Sequence, residues 1–183
     1  MKIQTEELIF DLIERTKNNF NKAEGFKSVP IEKLNSRPSA ESWSALECLE
    51  HLNLYGDFYL PEIRHRIKNS KYQPEEFFHS GLLGNYFSKS MLPREKLKKI
   101  KTFKDKDPIG SQLDISTLKR FLKQQKELIE LLELSKNVSL NKTKTAISIS
   151  RFIKLKLGDT FRVLVYHNQR HLVQAQNALE PKN

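Results

Sequence analysis

Residues 166–176 read YHNQRHLVQAQ and place two of the chain's five histidines, His167 and His171, four positions apart. Apolar side chains flank them at helical spacing, with Phe161, Leu164 and Val165 before and Leu172, Ala175 and Leu179 after. That period predicts an amphipathic helix following Gly158-Asp159, with Asp159 as its N-cap. On a helix, residues i and i+4 share a face with their Cβ atoms about 5–6 Å apart. Two imidazoles so placed can reach one ion at about 2.0–2.1 Å, the usual zinc–nitrogen distance. His167 and His171 adjoin Leu164, Ala175 and Ala178 at the edge of the apolar stripe, so both are expected to look inward. Gln174 falls on the same face, where it can orient a ligand or bind substrate. Such a pair is also at home on a polar helix face. A catalytic metal takes three protein ligands, so the third must come from elsewhere in the chain.

Three further segments share the helical period. The first runs from about Thr5 to Asn21 with Leu8, Ile9, Leu12, Ile13, Thr16 and Phe20 on one stripe. The second runs from about Ser44 to Asn69, and Pro61 inside it predicts a kink or a break, because proline removes an amide donor and crowds the preceding turn. The third runs from about Asp114 to Ser135. Residues 22–43, with Pro30 and Pro38, read as a long crossing loop. Residues 70–113, with Gly81, Gly84, Pro93, Pro108 and Gly110, form an irregular insertion expected to hold one or two short helices and mobile loops. Residues 136–157 include TAISISRFIKLKL, which fits a short strand or a helical lead-in equally well. Four long helices with two long connections predict an all-α fold, a four-helix bundle.

A length of 183 residues suits a single domain, 1–183, able to bury roughly 70% of its unfolded-chain surface without a staple. The lone Cys48 excludes an internal disulfide framework and fits a reducing compartment. No hydrophobic run approaches the ~20 residues of a membrane span, and MKIQTEELIFDLIERTK lacks the features of a secretory signal, so the expected location is cytoplasmic. The formal charge of +10 invites an acidic partner. Residues 94–106, REKLKKIKTFKDK, concentrate seven basic residues against two acidic ones. A solvated lysine-rich segment explains them. The rival is a non-catalytic helical binding module that uses 94–106 for an acidic partner or nucleic acid. No nucleic-acid reading motif is visible, and neither nucleic acid nor a membrane is an expected partner.

The second helix opens Ser42-Trp43-Ser44-Ala45-Leu46-Glu47-Cys48. Ser44 and Glu47 have the spacing of a capping box, and Trp43 before the cap can staple onto Cys48. Neither reading needs catalysis, and Cys48 reads as a core thiol. His51 lies one turn beyond Glu47, on a flank with Cys48, Tyr55 and Phe58, where a lone histidine is more often a hydrogen-bonded boundary residue than a ligand. Taken together, Arg37-Pro38, Trp43-Ser44, Glu47 and His51, followed by His167-x3-His171-x2-Gln174, resemble the DinB-like superfamily, which includes bacillithiol transferases and other thiol-dependent enzymes. The resemblance implies an up-down-down-up bundle, often dimeric, and a metal site formed by His51, His167 and His171. It implies thiol transfer or hydrolysis, with a low-molecular-weight thiol as cosubstrate and a small electrophilic or hydrolysable substrate. The ion would be a divalent metal whose identity imidazole leaves open among zinc, nickel, copper and iron. Glu47 and Gln174 could orient the ligating rings through their second nitrogens. His65 is expected to face solvent, and His79 at most to line the pocket.

Overall fold

A computed structural model describes residues 1–93 and 102–180. Their order is β1 (Lys2–Gln4), α1 (Thr5–Glu24), α2 (Ile31–Asn35), α3 (Ala45–Lys68), β2 (Phe77–His79), α4 (Leu82–Met91), α5 (Ile115–Leu134), β3 (Lys144–Ile147), β4 (Ser150–Lys156) and α6 (Leu157–Leu179). The molecule is mostly helical, and the four long helices α1, α3, α5 and α6 are those expected from periodicity. Each packs against two others: α1 and α3 both lie against α5 and α6.

The start of α3 follows its sequence signals closely. The Ser44 hydroxyl accepts from the Glu47 amide at 3.1 Å, and the Ser44 amide donates to the Glu47 carboxylate at 2.8 Å. This capping box satisfies two amides that a helix start leaves without intrahelical acceptors. Asp114 caps α5 by accepting from the Ser116 amide at 2.7 Å. Pro61 does not end α3, which continues to Lys68. The proline is exposed, so the carbonyl it deprives of a donor can be hydrated.

The mostly helical fold agrees with the all-α expectation and carries two small antiparallel additions. β1 pairs with β2, and of the two readings open for residues 136–157 the strand holds, with residues 144–156 forming the hairpin β3–β4. The alternation in that stretch is what a half-buried strand requires, with Thr145, Ile147 and Leu155 turned inward. One expectation needs correction: Asp159 is not the N-cap of α6. That cap is Lys156, three residues earlier, and the buried Asp159 carboxylate accepts from the Gly81 amide at 2.8 Å, at the start of α4. Asp159 therefore stabilises the amino end of a neighbouring helix.

The insertion 70–113 holds β2, α4 and a short 3-10 turn at Lys104–Lys106. Of the basic stretch 94–106, residues 94–101 lie outside the described residues. Among the described residues, no helix is long and apolar enough to cross a membrane.

The core has two apolar halves. One gathers Leu8–Ile13 positions of α1 with Tyr59, Leu60 and Ile63 of α3, Leu128–Leu132 positions of α5, and Phe161, Leu164 and Val165 of α6. The other gathers Ala23, then Leu46, Leu49 and Leu52 of α3, Leu118 and Phe121 of α5, and Leu172 and Ala175 of α6. Each fully buried leucine contributes about 1.5–3 kcal/mol relative to exposure. Between the halves, all four long helices place buried polar side chains: Asn19, His51 and Asn53, Gln124 and Gln125, and His167 and Asn168. Their hydrogen bonds cross between helices, as from Asn168 to Gln125 at 3.1 Å and from Asn53 to the Thr117 carbonyl at 3.0 Å. Gly56 lets α3 approach α5 here, since a Cβ would lie 2.1 Å from the Gln124 amide oxygen. The histidines sit in this polar band.

Candidate metal centre

His51 is carried by the second turn of α3, and His167 and His171 by consecutive turns in the middle of α6, which packs against α3. Residues 116 positions apart in the chain thus meet: His51 Nε2 lies 3.2 Å from His167 Nε2. The ring centroids of the three histidines are 4.6–5.0 Å apart, in tilted or edge-on pairs. Among the described residues they form one group in which a nitrogen of each ring lies within 4.8 Å of the others. Ligands on one ion at 2.0–2.1 Å are about 3.3 Å apart in a tetrahedral arrangement. The closest pair already has that spacing, and the third ring must draw in slightly.

The outer nitrogens fix which face of each ring is presented. His51 Nδ1 lies 2.6 Å from the Lys106 carbonyl, and a carbonyl can only accept, so the ring donates from Nδ1 and keeps its Nε2 lone pair inward. His171 Nδ1 lies 3.0 Å from Gln174 Oε1, which holds that ring in the same tautomer. Electrostatics favour the neutral, ligating form. Burial lowers His51 to about 4, against smaller opposing effects of the Lys106 carbonyl and Asp107. His167 and His171 are pushed well below the ordinary histidine value, first by burial and then by the neighbouring histidines and Arg170. Three neutral imidazoles converging on one point, with their remaining protons directed outward where the partners are visible, suit a divalent cation.

Trp43 packs against the apolar cluster that contains Cys48, in keeping with the expected staple, and its ring also lies 4.7 Å from His51 and 5.7 Å from His171. Its indole N–H donates to Asp107 at 3.0 Å, which ties the ring to the insertion. Tyr55 closes another side, 5.0 Å from His51 and 4.8 Å from His167, and burial raises its phenol to about 12. The Lys106 carbonyl, which orients His51, had no signal in the sequence, because a backbone acceptor leaves no residue-type signature.

Glu47 does not touch the histidines. Its buried carboxylate takes two donors from the Arg37 guanidinium, the nearer at 2.6 Å, together with the Ser44 amide and the Gly110 amide at 2.7 Å. It fastens the 104–110 stretch to the start of α3 and so acts on the centre through the loop that carries Lys106. An open cleft of about 470 Å³ lies beyond this clamp, lined by Asn35, Arg37, Glu47, Ser111, Gln112 and Leu113, with no histidine in its wall. Gln174 is placed on His171 as described. His65 is exposed on α3, and His79 is exposed on β2, paired opposite Lys2 and away from the centre. Cys48 is buried, and burial pushes its thiol up, out of nucleophilic range at neutral pH.

No curated protein matches the chain, and no solved structure does. A model of the DinB superfamily matches residues 12–175, a span that runs from α1 into α6 and takes in all three converging histidines. By that match the chain belongs to the DinB superfamily.

Proposed function

We propose that this protein is a divalent-metal-dependent enzyme of thiol transfer or hydrolysis, with His51, His167 and His171 as the ligands of one ion. The observation that carries the reading is the set of tautomers. The Lys106 carbonyl holds one proton on His51 Nδ1 and Gln174 holds another on His171 Nδ1, so the inner nitrogens of both rings are free to donate lone pairs. The bundle topology is part of the same reading. Along α1 and α6 the apolar halves come in one order, and along α3 and α5 in the reverse order, which supports an up-down-down-up arrangement.

An ion held there would supply a Lewis acid that favours the thiolate of a low-molecular-weight thiol or the hydroxide form of water. The chain's own residues present three neutral nitrogens and keep their geometry fixed from behind. Trp43 and Tyr55 wall the centre with aromatic surface, which strengthens electrostatic interactions inside it by excluding water. With neutral ligands the centre keeps the whole positive charge of the ion, as capture of an anionic thiolate requires. A homodimer is part of the proposal and leaves the ligand set within one chain.

Elemental analysis of tag-free protein, followed by titration with zinc and with nickel, tests the centre. The expected result is about one equivalent of metal per chain, abolished in the His167→Ala/His171→Ala variant. Metal uptake that survives both substitutions, or refusal of both ions, would falsify the assignment. Consumption of a small thiol in the presence of an electrophilic chlorodinitrobenzene, dependent on the loaded metal, would separate transfer from hydrolysis.

A further inference from the structure

The positive charge of the chain is unevenly distributed over the fold. The four long helices carry thirteen acidic and twelve basic residues and are close to neutral. The elements β1, β2, α4, β3 and β4 carry six basic residues and no acidic one. Two of these elements also expose apolar side chains where a surface normally hides them.

α4 is amphipathic in the reverse sense. It packs against α6 through the buried Gly84 and Ser88, with Gly84 so close that a Cβ would lie 2.3 Å from the Asp159 carboxyl carbon. The small residues face inward, and Leu82, Leu83 and Tyr86 are left pointing to solvent, Leu82 being 95% exposed. Lys89, one turn beyond Tyr86, is exposed as well. On the adjoining strand β4, Phe152 is 97% exposed, and Lys154 two residues on shares its outward face. Lys144 of β3 is also exposed, and Lys156, paired with it in register, ties the hairpin to β2 by donating to the His79 carbonyl at 2.6 Å.

Contiguous exposed apolar groups on a folded domain mark an interaction site rather than ordinary surface. We propose that this face docks on the surface of an anionic lipid bilayer, with Leu82, Leu83, Tyr86 and Phe152 entering the headgroup boundary and Lys89, Lys144 and Lys154 meeting acidic headgroups. The pairing of protruding apolar residues with lysines is what interfacial binding requires: hydrocarbon enters, and ammonium groups remain at the charged surface. A second copy docking through the same face would set lysine against lysine, since the elements that form it carry no acidic residue. A single-stranded nucleic acid would stack on aromatic planes. Tyr86 and Phe152 offer such planes, but Leu82 and Leu83 offer none and gain only from contact with hydrocarbon. The docking is peripheral and involves none of the histidine-centre residues.

Sedimentation of the full chain with vesicles of phosphatidylcholine alone, and with vesicles also containing phosphatidylglycerol, tests the proposal. Binding is expected only with the anionic lipid and should weaken as salt rises. Leu82→Ser/Phe152→Ser should lower partitioning at least tenfold, and Lys154→Ser about fivefold, since each lysine near an anionic surface contributes about that factor. Both variants alter exposed residues and should keep the wild-type melting temperature and metal content. Several results would overturn the proposal. Anionic vesicles that leave the protein in the supernatant would do so, as would equal binding to neutral vesicles. So would unchanged partitioning of the Leu82→Ser/Phe152→Ser variant, or a wild-type dimer that this variant dissociates. Binding of an RNA oligonucleotide that depends on Lys154 and is indifferent to the apolar pair would reassign the face.

Discussion

Helix α6 carries two buried polar clusters within three turns, and they are built on opposite plans. Near its start, Asp159 and Arg162 form an ion pair at 3.1 Å with both side chains at most 4% exposed. The Asp159 carboxylate also accepts from the Ser80 hydroxyl and the Gly81 amide, while the Arg162 guanidinium reaches Ser80 at 2.8 Å and lies over the Tyr166 ring. Charge meets counter-charge, and both carboxylate oxygens accept hydrogen bonds, although the Arg162 Nε has no hydrogen-bond partner among the described residues. Two turns later, His167 and His171 meet His51 with no carboxylate among them, and two Nε2 atoms stand 3.2 Å apart. One cluster pairs opposite charges and holds α4 against α6. The other gathers three neutral imidazoles, with Arg170 close enough to disfavour protonation of His167 and His171, and turns ring nitrogens toward one another.

The largest expected effect breaks the charge-paired cluster. Asp159→Ala leaves the Arg162 guanidinium buried without its counter-charge, and loss of one partner of a buried pair typically costs about 3–5 kcal/mol. For a chain of this size that lowers the melting temperature by about 10 °C. Metal uptake at the histidines should persist below the new transition. A thermal melt that moves by only a degree or two would mean that the pair contributes little and that the two clusters do not differ as described.

Acid should distinguish the clusters from the other side. His51 is held at about 4 in the fold against an ordinary value near 6.5, and His167 and His171 are also held low, all chiefly by burial. Above pH 6.5 these groups are neutral in both folded and unfolded chains, and they add no pH dependence. Below it the unfolded chain takes up protons that the folded chain refuses, so stability falls as pH drops from 6.5 through 4. His51 alone accounts for a loss on the order of 3 kcal/mol by the lower end. Urea midpoints of metal-free protein across this range should decline, and the decline should flatten in a variant with all three histidines replaced by alanine. An equally steep decline in that variant would place the acid sensitivity elsewhere.

How much of this could be read in the sequence follows from the range of each interaction. The four long helices were legible because period and caps are local, and the Ser44–Glu47 box formed as its spacing predicted. The hairpin 144–156 is ambiguous in sequence because Ile alternates with Ser, and Ile and Leu with Lys, over too few residues to separate strand from helix. Asp159 was misassigned for a similar reason: any acidic residue near a helix start looks like its cap, and the true recipient, the Gly81 amide, lies 78 residues away. The pairing of His167 with His171 was visible, but the convergence with His51 came only from the family pattern. The contributions of Trp43, Tyr55 and the Lys106 carbonyl emerge from packing between the insertion and α3. The exposed apolar face was hidden too, since Leu82, Leu83 and Tyr86 resemble core residues until Gly84 and Ser88 are seen to take the inward side.

The smallest effect isolates one hydrogen bond of the histidine cluster. Gln174 Oε1 holds the Nδ1 proton of His171, the counterpart of what the Lys106 carbonyl does for His51. The His51 contact is made by backbone and cannot be removed by substitution at position 106, so Gln174 is the accessible test of whether tautomer control matters. Partners of ligating histidines typically contribute 10–100-fold in metal affinity. Gln174→Leu should fall at the lower end, about tenfold or 1.4 kcal/mol, because His51 keeps its anchor and two of the three rings are unaffected. Gln174→Glu supplies an acceptor at the same reach and should restore affinity, whereas a residue that only filled space would be replaced better by leucine. Calorimetric titration of zinc into the two variants gives the order directly. If leucine binds as tightly as glutamine, the His171 ring is oriented by its packing against Trp43 instead, and the histidine cluster owes its geometry to shape rather than to hydrogen bonds.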